Sequence, residues 1–197
     1  VLILKPQKLV ILTPPGTQAE KIHNCLGDRK GAMIMAASGQ THWSHYHSNQ
    51  IPDEYLHYRR AVIVRNPFTR ALQLFDEYVK QWEEYGKKPK TFFEWVTNVK
   101  SYGWQASMTI NEWVSDFTPI EPIQFEAAAR DLKHKYGIRI KSPFRDYVNY
   151  KARWWPIGAT AICEFRQHVM QDIDRYGYST KAITWLEAKA IAGIYDV

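Results

Sequence analysis

A chain of 197 residues, 45% hydrophobic and 23% charged, can bury a core without metal or disulfide support and reads as one domain over residues 1–197. Lys and Arg total 26 against 20 Asp and Glu, a net charge of +6 that favours an anionic ligand or partner. No apolar run approaches the length of a membrane span, and Cys25 and Cys163 form no CxxC, which excludes a zinc ribbon or a disulfide framework and predicts two reduced core thiols.

In chain order, Lys8–Leu12 reads as a hydrophobic strand, followed by the turn Thr13, Pro14, Pro15, Gly16, Thr17 and a helix from Gln18 to Leu26 closed by Gly27. Strand, tight turn and helix is the geometry of a phosphate cradle. Gly16 lets backbone approach a ligand, and the N–H groups of Thr17, Gln18 and Ala19 are expected to face one space. The GxxxxGK[ST] pattern of nucleoside triphosphatases is absent. A second apolar run, Ala32 to Ala37, leads into THWSHYHSN, where His42, His45 and His47 offer a metal site, a general base, or ordinary hydrogen-bonded histidines.

Residues 59–82 hold the clearest junction, a strand at Ala61–Val64 running into an amphipathic helix. Pro67 suits a first helical turn because its missing N–H would be unpaired there anyway. Phe68, Ala71, Leu72, Phe75, Tyr78, Val79 and Trp82 follow the spacing of one helix face, with Arg70, Gln73, Glu77 and Lys80 off it. Arg65 then stands at the carboxyl end of a strand, where open α/β sheets place their ligands, and its guanidinium fork suits an anion or a nearby carboxylate. It is expected to lie beyond the buried strand, so that Arg65→Ala removes binding and leaves the fold intact.

Further on, Glu83–Lys90 is a polar loop, and Thr91 with Glu94 makes a capping box for the helix FFEWVTNV. Trp104 and Trp113 line an acceptor cleft or cover the core. A helix is predicted from about Phe125 to Tyr136, stopped by Gly137 and followed by a strand-like Ile138–Ile140. Between Arg130 and Arg153 eight basic residues face two acidic ones, and this stretch adjoins Tyr147, Tyr150, Trp154 and Trp155; it reads either as a solvated face or as a ligand surface.

Order and spacing of these segments resemble the sulfotransferases that use 3′-phosphoadenosine 5′-phosphosulfate (PAPS), particularly the carbohydrate-sulfating branch. TPPGTQ (Thr13–Gln18) is similar to the family's 5′-phosphosulfate loop, RNPFTRALQLF (Arg65–Phe75) to its RDPxxRxxSxY motif, QFEAAARDL (Gln124–Leu132) to its RFExLxxDL segment, and HVMQDIDRYGY (His168–Tyr178) to its terminal helix. The resemblance implies an α/β fold with a central, mostly parallel sheet flanked by helices in a P-loop-like architecture. It implies PAPS as donor, no metal, and a hydroxyl-bearing, carbohydrate-type acceptor. Donor-binding residues would be Pro15, Gly16, Thr17 and Gln18 at the 5′-phosphosulfate and Arg65 at the 3′-phosphate, with Gln73 there in place of the family's Ser and Arg70, Lys151 and Arg153 as further cations. Lys141 and Arg145 are candidates for the same contacts. The loop lysine of the family falls on Pro14 or Pro15, leaving Lys21, one helical turn on, as the nearest substitute. His42, then His45, would be the general base. No nucleic-acid motif is visible and no nucleic-acid partner is expected. The expected compartment is the cytoplasm, or a secretory lumen if an anchor has been removed. A catalytically degenerate adenosine-phosphate-binding protein and a basic nucleic-acid-binding module are the alternatives.

Overall fold

Leu2–Leu4 (β1) and Leu9–Leu12 (β2) are runs of branched apolar residues that pair antiparallel, Leu2 opposite Ile11 and Leu4 opposite Leu9. A single 3-10 turn, Lys5–Gln7, joins them, and Lys8 closes it in the left-handed region at φ 46° rather than opening the strand. The computed structural model describes residues 1–26, 29–34, 51–98, 109–114, 119–140 and 157–178. Contacts divide the chain into two compact units, Val1–Arg65 with Ile110–Asp146, and Asn66–Thr109 with Tyr147–Val197.

The first unit holds a five-stranded sheet. After β2 come the helix Ala19–Leu26 (α1), the strand Ala32–Ile34 (β3) and the strand Arg59–Val64 (β4). A short helix, Ile110–Trp113 (α4 in chain order, after two helices of the second unit), precedes the strand Glu121–Gln124 (β5) and the helix Ala128–Tyr136 (α5). Strand order is β3-β1-β2-β4-β5, with β2, β4 and β5 parallel neighbours and β1 antiparallel to both β2 and β3. The sheet is therefore mixed, not mostly parallel. The reason is local: the four residues Lys5–Lys8 can return a chain only antiparallel, because a parallel pairing needs a crossover of a dozen or more.

One sheet face, with Leu2, Leu4, Leu9, Ile11, Ala61, Ile63 and Ile123, packs with Ile22 and Leu26 of α1 and Ala128 and Leu132 of α5. The residues between them, Ile3, Val10, Leu12, Val62 and Val64, are equally buried, so these strands read as continuous apolar runs. Both α5 boundaries have physical causes. Phe125–Ala127 forms a 3-10 turn that leads into the helix, and Gly137 at φ 68° ends it. Ile138–Ile140 is not a strand; Ile138 is buried and packs into the core without a ladder.

The second unit is helical. Pro67–Glu84 (α2) starts at Asn66, whose Oδ1 accepts from the Phe68 N–H at 3.0 Å, with Pro67 at the first helical position. Phe92–Thr97 (α3) opens with the complete capping box: the Thr91 N–H donates to Glu94 Oε2 at 2.8 Å and the Glu94 N–H to Thr91 Oγ1 at 3.2 Å. Together with Ala159–Tyr176 (α6) these helices bury Phe68, Leu72, Phe75, Trp95, Phe165 and Ile173 in one cluster. Trp113, in the first unit, is a core residue at 1% exposure, whereas Cys25 is exposed on α1 and is not a core thiol. Trp104 lies outside the described residues.

Candidate anion site at the carboxyl ends of the parallel strands

The chain leaves β2 at Thr13 and folds at once into a tight turn. Gly16 has φ +75° and the Thr17 N–H returns to the Pro14 carbonyl at 3.2 Å, so Pro14–Thr17 is a type II turn with Pro15 and Gly16 in the positions that suit them best. Thr17 Oγ1 donates to the same carbonyl at 2.5 Å. Gln18 follows at φ +55°, a conformation L-residues seldom adopt, and α1 begins one residue later than its sequence pattern suggests.

Two buried side chains hold this turn. Register between β2 and β4 pairs Leu12 with Val62, and continuing it brings residue 65 level with residue 15. Arg65 is completely buried, and its Nη1 donates to the Gly16 carbonyl at 3.0 Å. On its other side Val64 pairs with Gln124, so the next residue along β5's path is Phe125; the Arg65 guanidinium carbon lies 5.4 Å from that ring's centre. The expectation that Arg65 projects beyond the buried strand is thereby corrected, because two neighbouring strand ends enclose it.

The second is His23, which the sequence reading passed over. Ala19, Ile22, His23 and Leu26 form the inward face of α1, and His23 Nε2 lies 3.4 Å from Thr13 Oγ1, both residues being buried. Its spacing from Ile22 and Leu26 was the available signal.

The turn's hydrogen bonding is unevenly satisfied. The Thr17 N–H is committed to Pro14, but among the described residues no acceptor meets the backbone N–H of Gly16, Gln18, Ala19 or Glu20, and Gln18 Oε1 is buried without a partner. Helix N-termini leave such donors unpaired and carry partial positive charge, which here adds to that of the buried Arg65. The arrangement can hold an anion through backbone donors.

The remaining expected site residues are distributed as follows. Lys21 is exposed on α1. Gln73 Nε2 donates to Glu77 Oε1 at 3.1 Å on α2, and Arg70, expected off the apolar stripe, is buried, at 4% exposure. His42, His45, Lys151 and Arg153 lie outside the described residues, as do Lys141 and Arg145. Among the described residues no group of three or more His, Cys, Asp or Glu could hold a metal ion, and no helix is long and apolar enough to cross a membrane. Comparisons with known protein families, curated proteins and solved structures find no match.

Proposed function

We propose that the protein is a sulfotransferase that takes a sulfuryl group from PAPS to a hydroxyl of a saccharide or small-molecule acceptor. The observation that carries this reading is the meeting of Arg65 with Gly16 at the ends of adjacent parallel strands. Two motifs 49 residues apart in sequence were assigned to one donor, and they contact one another.

In this reading the unpaired N–H groups of Gly16, Gln18 and Ala19 bind the donor's 5′-phosphosulfate. The donor, when bound, supplies the sulfuryl group. Negative charge grows on the departing phosphate oxygen during an in-line transfer, and the α1 N-terminus together with the Arg65 cation, which the resemblance assigns to the 3′-phosphate but which bonds to the 5′ loop, offsets it without reorganising. Arg65 also keeps the turn in register, so part of its effect is exerted through Gly16. The acceptor hydroxyl must lose a proton, and the resemblance assigns that base to His42 or His45.

One observation favours a second reading, a protein that binds an adenosine phosphate without transferring sulfate. Where the family has a loop lysine this chain has Pro14 and Pro15, which bring neither charge nor an N–H. A thermal-shift comparison of adenosine 3′,5′-bisphosphate with ATP and AMP tests the site shared by both readings; a selective rise with the bisphosphate is expected, and equal or absent shifts would remove them together. Transfer of labelled sulfate to hydroxyl acceptors then separates enzyme from binder.

A further inference from the structure

The opposite end of the same sheet gathers positive charge from segments far apart in sequence. Lys5 and Lys8 belong to the hairpin turn between β1 and β2; Arg29 and Lys30 immediately precede β3, and the Lys5 N–H reaches the Gly31 carbonyl at 3.1 Å. Arg59 opens β4, its N–H bonded to the Lys8 carbonyl at 2.8 Å. Its guanidinium reaches the Lys135 carbonyl at 3.2 Å, at the end of α5, and Arg29 donates to the Arg139 carbonyl. Each of these cations except the half-buried Arg29 is exposed.

Strand order turns this into a row. Neighbouring strands are separated by roughly 4.8 Å, so the cations from β3 through β1 and β2 to β4 span about 14 Å along the amino ends of the parallel strands, and Lys135, whose Nζ donates to the Pro122 carbonyl at 3.0 Å, carries the row on to β5. Carboxylates described at this end are Asp53 and Glu54 beside the hairpin, Glu121, already paired with Arg59 at 2.9 Å, and Asp131 on α5, paired with Arg130 at 3.1 Å. A compact anion needs a pocket, whereas a row suits a chain of repeated negative charge.

We infer that this edge is a docking surface for an anionic polysaccharide. Two of the aromatic rings here already carry cations and a third is packed edge-on: Lys5 Nζ lies 5.5 Å from the centre of the Tyr55 ring, the Arg59 guanidinium 4.6 Å from that of Tyr136, and Tyr58 meets Tyr55 at 5.3 Å and His57 at 4.8 Å. Single-stranded nucleic acid is gripped by free aromatic platforms between cations, and these rings are already covered. Preference for a glycan over other polyanions rests on the sulfotransferase reading, in which a saccharide is the acceptor. The row lies at the end of the sheet away from the turn, so it holds a long chain rather than the reacting hydroxyl.

The test uses heparin as probe and single-stranded oligothymidylate as competitor, with affinity measured as NaCl rises. A triple variant Lys5→Gln, Lys8→Gln, Lys30→Gln removes three exposed charges of this row. A control with the same loss of charge, Lys80→Gln, Lys88→Gln, Lys90→Gln, alters the helical unit. Removing three contacts from a polyanion should weaken heparin binding about tenfold and flatten its salt dependence, while the control stays within about twofold. Equal losses in both variants would reduce the effect to net charge and overturn the surface, and tighter binding of the oligonucleotide would reassign it. The bisphosphate thermal shift of the same variants separates the two ideas. If heparin binding depends on the row while no nucleotide binds, the docking surface stands and the sulfotransferase reading falls.

Discussion

The Arg65 guanidinium donates to the Gly16 carbonyl at 3.0 Å from a fully buried position. This couples the end of β4 to the turn after β2, and it makes Arg65 a structural as well as an electrostatic element. Arg65→Ala should therefore destabilise the fold by about 2–4 kcal/mol, because it leaves both a cavity and an unpaired buried carbonyl. Denaturant titration is the check, and an unchanged midpoint would show that the contact does not hold the turn. Arg65→Lys keeps the charge but not the planar fork, so it should recover only part of the loss.

Gly16→Ala tests the turn through its backbone conformation. At φ +75° an L-residue is strained, and the expected cost is about 1–2 kcal/mol. If the N–H groups after Gly16 bind the donor, bisphosphate affinity should fall by more than the stability change explains. Calorimetric titration at a temperature where the variant remains folded separates the two effects.

His23 and Thr13 supply a third constraint on the turn, read from the 3.4 Å approach of their side chains. Either His23→Ala or Thr13→Val should cost about 1–3 kcal/mol, as expected when one buried polar partner is removed. The double variant should cost less than the sum by at least about 0.5 kcal/mol. Full additivity in urea denaturation would mean that the two side chains do not act together.

What was legible in the sequence was mainly local. Pro67 at a first turn, the Thr91 and Glu94 capping box and Gly137 at a helix end each depend on a few adjacent residues, so each could be read correctly. The stripe Phe68, Ala71, Leu72, Phe75 was equally readable, since burial of a helix face follows its period. The reversed strand β1 was not. Nothing in LIL says which neighbours it will pair with, because that choice is made by non-local contacts. Burial of Arg65 and Arg70 escaped for a related reason: period and charge place a residue on a helix or strand, but not the carbonyls and rings that other segments bring to it. His23 was different, since its spacing on α1 already pointed inward.

The capping box of α3 gives a sign for acid behaviour. Hydrogen bonds from the Thr91 backbone and hydroxyl hold the Glu94 carboxyl below the usual carboxylate range. A depressed folded-state value stabilises above the unfolded pKa, near 4.3, and the benefit is lost as pH falls through the folded value. Thr91→Ala should cost about 1 kcal/mol at neutral pH, with the difference from wild type shrinking in acid. Parallel melting curves at pH 7 and pH 3 check this, and a constant difference would show that Glu94 is not part of the cap's stabilisation.

At the other end of the pH scale, Tyr136 and Tyr176 act in the opposite sense. Burial pushes the Tyr176 phenol up to about 12, and it also raises Tyr136, whose hydroxyl donates to Glu121 Oε2 at 3.0 Å. Glu121 itself is pushed up by burial, but the hydrogen bonds from Arg59 and Tyr136 outweigh this and hold it below its ordinary value. A raised phenol favours the protonated folded state, so its contribution is complete below the unfolded value near 10 and is lost as pH rises toward the folded one. Stability should consequently fall between pH 10 and 12, and Tyr176→Phe, which removes the ionising group, should make that decline shallower. Tyr136→Phe removes a donor as well, and should cost about 1 kcal/mol at pH 7 while raising the Glu121 titration. Denaturation midpoints across pH 8–12, with carboxyl titration followed by NMR, test both; a Tyr176→Phe profile superimposable on wild type would mean that its phenol titrates alike in the folded and unfolded chain.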